Sequence, residues 1–139
     1  MNFKNSRYYI SEKFKTYILP FGKFYMCDVF CLSEINEGLH VGLEEIQNIF
    51  IVLLEHYGED LKIGYISNRI NHYSIDTTLW TKLNNDYKIL VAEAIVFYDD
   101  LNYYNASIEK KLSTYSVKRC STLFEAINYM DNLSELKYS

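Results

Sequence analysis

The side chains with the greatest capacity for chemistry lie together between an apolar run and the start of a helix. The stretch IGYISNRINHYSIDTTLW, residues 63–80, ends its apolar run and then gathers hydrogen-bonding groups. An arginine can hold a carboxylate or phosphate through its fork, and a histidine can change charge near neutral pH. Amides donate and accept hydrogen bonds, and a tyrosine offers an aromatic face with a polar tip. The candidate binding residues are Ser67, Asn68, Arg69, Asn71, His72, Tyr73, Ser74 and Asp76.

Each of these residues also has a purely structural interpretation. Asn and Ser side chains commonly hydrogen-bond their own backbone in turns, and Arg69 can cover apolar surface with its stem. Asp76, together with Ser74, can cap the helix that follows. Unpaired backbone N–H groups at that helix start could also receive an anion. The sequence therefore predicts a binding loop over residues 67–76 and leaves the role of each side chain open.

Two further acids, Asp99 and Asp100, follow the apolar run VAEAIVFY at residues 91–98. Paired carboxylates could bind a cation or act as acid and base, and Asp99 is therefore kept among the candidate binding residues. Capping of the next helix is the favoured interpretation of an Asp at this position.

Other catalytic and metal-binding patterns are absent from the sequence. It has no G-x-S-x-G nucleophile elbow and no glycine-rich phosphate loop. Cys27, Cys31 and Cys120 lack the spacing of a C-x-x-C redox or zinc pair, although Cys27 and Cys31 would share one face of a strand. We predict no catalytic residue, no metal site and no cofactor.

Four helices are indicated by apolar spacing and by capping residues. The strongest begins at Leu43, where apolar residues recur every three or four positions, and Gly58 suits its end. Asp76 begins a second helix that runs to about Asn85. A third, LNYYNASIEKKLS, has an apolar side made of Leu101, Tyr104, Ile108 and Leu112. The last begins with the capping box Thr122-x-x-Glu125 and closes the chain.

Strands are predicted between these helices and before them. Residues 14–32 form two strands around the Pro and Gly of LPFGK, the second running over residues 24–32, and further strands cover 61–67, 91–98 and 115–120. The order β-β-α-β-α-β-α-β-α indicates an α/β fold with a mixed, mostly parallel sheet covered by helices. Residues 1–139 suit one domain, with residues 1–12 as a loose N-terminal arm.

Composition excludes several classes of function. The net charge is −4 with acids and bases interspersed, so no basic stripe exists for nucleic acid. The longest apolar run, IFIVLL at residues 49–54, is too short to span a bilayer, and the start of the chain lacks the apolar core of a signal peptide. We expect a soluble cytoplasmic protein with reduced, partly buried cysteines.

The element order, the size and the strand–polar-loop–helix unit over residues 61–85 resemble the STAS domain, the fold of the bacterial anti-sigma-factor antagonist SpoIIAA. The segments ISNRINHYSID and KRCSTLFEAINYM carry the resemblance locally, and it covers residues 14–133. In phosphorylated antagonists this strand leads into an Asp-Ser-Ser/Thr-Gly loop whose serine takes a phosphate. That motif is missing here, so a phosphoswitch cannot be assigned, and Ser74 and Thr77 remain open positions for it.

The resemblance implies a regulatory binding module without catalysis of its own. The 67–76 loop and the following helix would contact a protein partner, which the family suggests is a kinase or another signalling protein. An alternative is a carrier of a small ligand, lipid or nucleotide, in an apolar cavity between sheet and helices. A small enzyme using Asp99, Asp100 or His72 is the least favoured hypothesis, and a homodimer through strand edges is left open.

Overall fold

A mixed sheet lies at the centre of the computed structural model, which describes residues 1–112, 115–133 and 136. The strands are β1 (Phe14–Leu19), β2 (Gly22–Cys27), β3 (Phe30–Ile35), β4 (His40–Val41), β5 (Ile63–Asn68), β6 (Ser74–Ile75), β7 (Leu90–Val96) and β8 (Ser116–Cys120). The helices are α1 (Tyr8–Ser11), α2 (Leu43–Tyr57), α3 (Thr77–Tyr87), α4 (Asp100–Leu112) and α5 (Leu123–Asp131). A 3₁₀ turn, Phe3–Asn5, precedes α1.

Six strands form the main sheet in the order β1-β2-β3-β5-β7-β8, and β4 and β6 pair separately. The pairs β1–β2 and β2–β3 are antiparallel, whereas β3–β5, β5–β7 and β7–β8 are parallel. The predicted fold class, a mixed and mostly parallel α/β sheet covered by helices, is confirmed. Strand β5 lies inside the sheet and runs parallel to β7, as the predicted binding loop requires.

The prediction of one continuous strand over residues 24–32 is wrong. The chain reverses at Asp28 and Val29, so that β2 and β3 pair antiparallel and β3 becomes an interior strand. No Gly or Pro marks this turn in the sequence, and buried residues flank it on both sides. Cys27 and Cys31 consequently pack into the cores on opposite faces of the sheet rather than sharing one face.

The helices divide between the two faces of the sheet. From β3 to β8 the chain crosses the sheet in one direction, and right-handed crossovers then place α2, α3 and α4 on one face. Helix α5 covers the other face, where the Met130 sulfur packs directly over Gly64 of β5. No helix in the described ranges is both long and apolar enough to cross a membrane.

The N-terminal residues, for which the sequence suggested a loose arm, pack against the sheet. Phe3 is fully buried, with its ring 4.6 Å from that of Tyr25 and 5.3 Å from that of Phe14. The backbone N–H of Phe3 donates to Glu34 Oε2 at 2.6 Å. This segment therefore completes the core on the face that α5 covers.

Helix α4 turns its apolar side toward solvent. Leu101, Tyr104 and Ile108 are 56%, 64% and 42% exposed, whereas Asn102 and Ala106 are buried against the rest of the protein. Ala106 packs with Ile95 of β7 and Val117 of β8. The helix is present as predicted, but its outward side carries the larger apolar groups.

Candidate functional site

The predicted binding loop lies where β5 ends, at the edge formed by the carboxyl ends of the parallel strands. Ligands and partners of open α/β sheets commonly meet this edge. Backbone hydrogen bonds fix the loop, because the Ser74 N–H donates to the Leu39 carbonyl at 2.9 Å and the Gly38 N–H donates to the His72 carbonyl at 2.7 Å. The short parallel pair of β4 and β6, with His40 opposite Ser74, results from this anchoring.

The candidate residues divide into a buried set and a set that reaches solvent. Ser67, Asn68, Arg69 and Tyr73 are each at most 7% exposed. His72 and Ser74 are exposed, and Asn71 and Asp76 are half-buried. The buried set therefore supports the loop from inside, and the exposed set is available for contact.

Arg69 is the centre of the buried set on the face that carries α2, α3 and α4. Its Nη2 lies 2.6 Å from Glu109 Oε1 of α4, and its Nε donates to Ser67 Oγ at 2.5 Å. The guanidinium stacks on the Tyr73 ring at 4.8 Å, and the Tyr73 and Ser67 hydroxyls are 2.9 Å apart. The fork of Arg69 thus holds a carboxylate, as its residue type suggested, but one that belongs to this chain.

Asn68 points to the other face and anchors the N-terminal segment. Its Nδ2 donates to Glu34 Oε2 at 2.8 Å and to the Met1 carbonyl at 3.1 Å. The Tyr98 hydroxyl donates to Asn68 Oδ1 at 2.6 Å. Asn68 therefore joins β3, the segment after β7 and the first residue of the chain.

The exposed set is centred on His72. Its Nε2 lies 2.6 Å from Asp99 Oδ2, its Nδ1 lies 3.4 Å from Glu37 Oε1, and its backbone N–H donates to Glu37. The hydrogen bond that His72 donates to Asp99 is the main reason that the pKa of His72 is raised. The pKa of Asp99 is lowered, first because it accepts the backbone N–H of Asn102, at 2.9 Å, and then because of His72. Asp99 thus caps α4, as favoured above, and also pairs with a loop residue.

The remaining candidates each make a hydrogen bond to another residue of the chain. Asp76 Oδ1 accepts the Leu79 N–H at 3.1 Å, which confirms the predicted cap of α3. Asn71 Nδ2 donates to the Ile35 carbonyl at 2.9 Å. Ser74 Oγ lies 2.7 Å from His40 Nδ1.

A polar cavity of about 20 Å³ lies behind the loop, between the sheet and helices α3 and α4. Glu93 of β7 lines it, and Glu93 Oε1 accepts the Tyr115 hydroxyl at 2.5 Å. That hydroxyl in turn accepts Trp80 Nε1–H at 2.8 Å. Burial, with a smaller contribution from Glu109, raises the pKa of Glu93 to about 7.

The sequence analysis missed this cavity, although three of its candidate binding residues line it: Ser67, Arg69 and Tyr73. Glu93 carried a usable signal, because it is the only charged residue in the run LVAEAIVF of a strand buried on both faces. Glu109 and Trp80 stand on helices with ordinary amphipathic patterns, and nothing local assigns them to a common site.

A groove of about 120 Å³ between β6 and α4 lies next to the polar cavity. Four residues line both spaces, so the groove forms the mouth of the cavity; they are Tyr73, Ile75, Thr77 and Glu109. Ser74, Asn105 and Ile108 complete the lining of this groove. The exposed loop, the apolar side of α4 and the buried polar groups are therefore connected at one place.

Metal binding finds no support in the part of the chain that the structure describes. Those residues contain no cluster of three or more His, Cys, Asp or Glu side chains suited to an ion. All three cysteines are free thiols and buried, and burial raises the pKa of Cys31 and Cys120.

The comparisons with known proteins identify a fold and no sequence family. No protein-family model matches the chain, and no curated protein matches it significantly. One solved structure is similar over 85% of this chain and 92% of its own length, with a TM-score of 0.52 and 10% identity. It is an uncharacterised protein of the DUF3478 family from Shewanella loihica PV-4, described as having a SpoIIAA-like fold. This chain has a SpoIIAA-like fold.

The fold implied by the STAS resemblance is thereby confirmed. In SpoIIAA-like regulators of the phosphorylated type, the modified serine follows the strand equivalent to β5. Here Ser74 is exposed, and Thr77, the first residue of α3, is half-buried and lines the polar cavity. Neither residue stands in the family's motif, so a phosphoswitch is still not assigned to a residue of this chain.

Proposed function

We propose that this protein is a regulatory binding module of the STAS type that acts without catalysis through contacts with a protein partner. The contact area, called the partner surface below, consists of His72, Ser74, Leu101, Tyr104 and Ile108. A signalling protein, a kinase among them, is the partner that the resemblance to STAS domains implies.

The outward apolar side of α4 carries this proposal. Leu101, Tyr104 and Ile108 follow one another at helical spacing and are all more than 40% exposed. Apolar groups that continue over one helix side, rimmed by polar residues, are typical of protein-binding surfaces. The loop adjoins them directly, since His72 pairs with the residue that caps α4 and Ser74 shares a groove with Ile108.

The buried polar set supports the same proposal, because it fixes the loop before a partner arrives. Ser67, Arg69 and Tyr73 are bonded to one another, and Arg69 is also bonded to α4. A surface that is already ordered loses little conformational entropy on binding, and its affinity rises accordingly.

The test compares two pairs of exposed apolar residues in an affinity capture from native lysate, followed by titration with the purified partner. We expect Tyr104→Ser/Ile108→Ser to lose partners that the wild type retains. The matched control, Ile51→Ser/Phe124→Ser, removes exposed apolar groups from α2 and α5 and should retain them. Identical affinities for wild type and Tyr104→Ser/Ile108→Ser would refute the proposed surface. Arg69 and Tyr73 are unsuitable probes, because both are buried and their removal would unfold the loop.

A small apolar ligand is the second candidate function. The cavity between sheet and helices is too small for an acyl chain or a base, but a mostly apolar groove of about 500 Å³ lies on the other face. It runs between the N-terminal segment and the start of α5, with Tyr8, Tyr98, Leu123 and Phe124 in its lining. Native mass spectrometry of freshly purified protein should show a bound small molecule if this candidate is right. A spectrum of bare protein would argue against it.

A further inference from the structure

We infer that the polar cavity and the groove at its mouth form a binding site for a primary ammonium group on a short alkyl stem. The cavity holds the charged head and the groove holds the stem. This site goes beyond the protein contact proposed above: its groove shares Ser74 and Ile108 with the partner surface, whereas the cavity lies outside that surface.

The dimensions of the two spaces select a small head group. A cavity of about 20 Å³ holds one water-sized group, and an ammonium head is of that size. The groove of about 120 Å³ continues from it, with Ile75 and Ile108 as apolar contacts for a chain of a few methylenes. A trimethylated head is several times larger than the cavity and does not fit.

The charges at the cavity favour a cation. Its charged lining residues are Arg69, Glu93 and Glu109. Arg69 and Glu109 neutralise each other at 2.6 Å, so an ionised Glu93 gives the lining a net charge of −1. An uncompensated buried charge is costly, and a bound cation removes that cost.

The other lining groups favour an ammonium over a metal ion. Aromatic rings attract ammonium groups through their faces, and the cavity is lined by Tyr65, Tyr73 and Trp80. Thr81 Oγ1 is inaccessible to solvent and has no hydrogen-bond partner in the described part of the chain. An ammonium has three N–H donors, which could be shared between this oxygen and the Glu93 carboxylate.

Protons compete with the ligand for Glu93. The titratable groups that face Glu93 come from each element around the cavity: Tyr65 and Arg69 from β5 and its end, Tyr73 from the loop, Glu109 from α4, and Tyr115 from the segment before β8. Because burial raises the pKa of Glu93 to about 7, the carboxylate is mostly ionised at pH 8 and mostly protonated at pH 6. Affinity for an ammonium should therefore fall about tenfold between these two pH values.

The protein provides its own reporter, since Trp80 is its single tryptophan and lines the cavity. We would titrate the full chain with n-butylammonium chloride at pH 8 and constant ionic strength, and follow tryptophan fluorescence. A saturable change is expected, with none for n-butanol, butyrate or n-butyltrimethylammonium. A response that is linear, or is reproduced by sodium chloride or butyrate, would overturn the inference.

Two substitutions test whether n-butylammonium binds at Glu93. Glu93→Gln keeps the shape of the side chain and should weaken n-butylammonium binding at least tenfold, whereas the exposed control Glu44→Gln should leave it unchanged. Equal affinity in Glu93→Gln would place binding elsewhere. If Glu93→Gln folds poorly, the affinity of the wild type for n-butylammonium is measured at pH 6 and pH 8 instead. An affinity that is equal at the two pH values would contradict a role for Glu93.

Discussion

Arg69 Nη2 and Glu109 Oε1, 2.6 Å apart, join the end of an interior strand to the helix that carries the exposed apolar side. Arg69 is 2% and Glu109 12% exposed at the side chain, so this ion pair is shielded from water. A second bond reinforces it, because Asn102 Nδ2 donates to the Arg69 carbonyl at 2.9 Å. The ion pair and this hydrogen bond therefore help to fix the position of α4, and hence of the partner surface.

Breaking this ion pair from the helix side should destabilise the protein strongly. Glu109→Gln leaves the guanidinium of Arg69 buried without its counter-charge, and we expect a loss of about 3 kcal/mol in the free energy of unfolding. Urea denaturation followed by circular dichroism measures it. Lys110→Gln, one residue further along α4 and exposed, is the control and should change stability by less than about 0.5 kcal/mol. A Glu109→Gln variant as stable as this control would mean that the pair contributes nothing.

Glu93 should make the protein less stable as the pH rises. Its pKa is raised in the folded state from 4.5 to about 7, so the folded chain binds more protons than the unfolded chain between those values. The free energy of unfolding therefore falls as pH increases through this window, by up to roughly 3 kcal/mol for this one group. Glu93→Gln should match the wild type at pH 4 and exceed its stability at pH 8. Urea denaturation curves at both pH values test this, and an unchanged difference between the two proteins would contradict it.

The pKa of His72 should fall when the carboxylate of Asp99 is replaced by a neutral amide. The hydrogen bond that His72 donates to Asp99 is the largest cause of the raised pKa of His72, and the bond to Glu37 contributes less. Asp99→Asn should therefore lower the pKa of His72 more than Glu37→Gln does, as read from the imidazole resonances in an NMR pH titration. The reverse order of the two effects would show that Glu37 is the dominant partner.

A methyl group at Gly64 should be poorly tolerated. A Cβ at this position would collide with the Met130 sulfur, because α5 packs directly on β5 there. Gly64→Ala is expected to cost about 1–3 kcal/mol through overpacking. Met130→Ala opens a space at the same contact, so the double variant should lose less than the sum of the two single losses in thermal or urea unfolding. If the loss in the double variant equals the sum of the two single losses, the Met130 side chain is not the group that the new methyl group contacts.

The sequence predicted secondary structure best where residues close in the chain determine it by themselves. The periodicity of α2, the cap at Asp76 and the hydrogen bond from the Glu125 N–H to Thr122 Oγ1 all appear as the residue types predicted. The reversal at Asp28 and Val29 could not be predicted, because it has neither glycine nor proline and its flanking strands are both buried.

The candidate site was only partly accessible to sequence reasoning. Residue type indicates that Arg69 can hold a carboxylate or a phosphate, but the carboxylate that it binds lies 40 positions away, on a helix whose orientation the pattern does not determine. That orientation depends on Asn102 and Ala106 fitting against the sheet, which is a property of the tertiary packing. The functional role of the loop stays a prediction for the experiments above.

The two-residue pairing of β4 with β6 couples the starts of two helices. It ties the connection that enters α2 to the connection that enters α3, with His40 and Ser74 as opposed residues. A covalent group added to Ser74 would displace His40, and this displacement would reach the amino-terminal turns of both helices. A modification of this loop would thereby change the surroundings of two helix starts on the same face of the sheet.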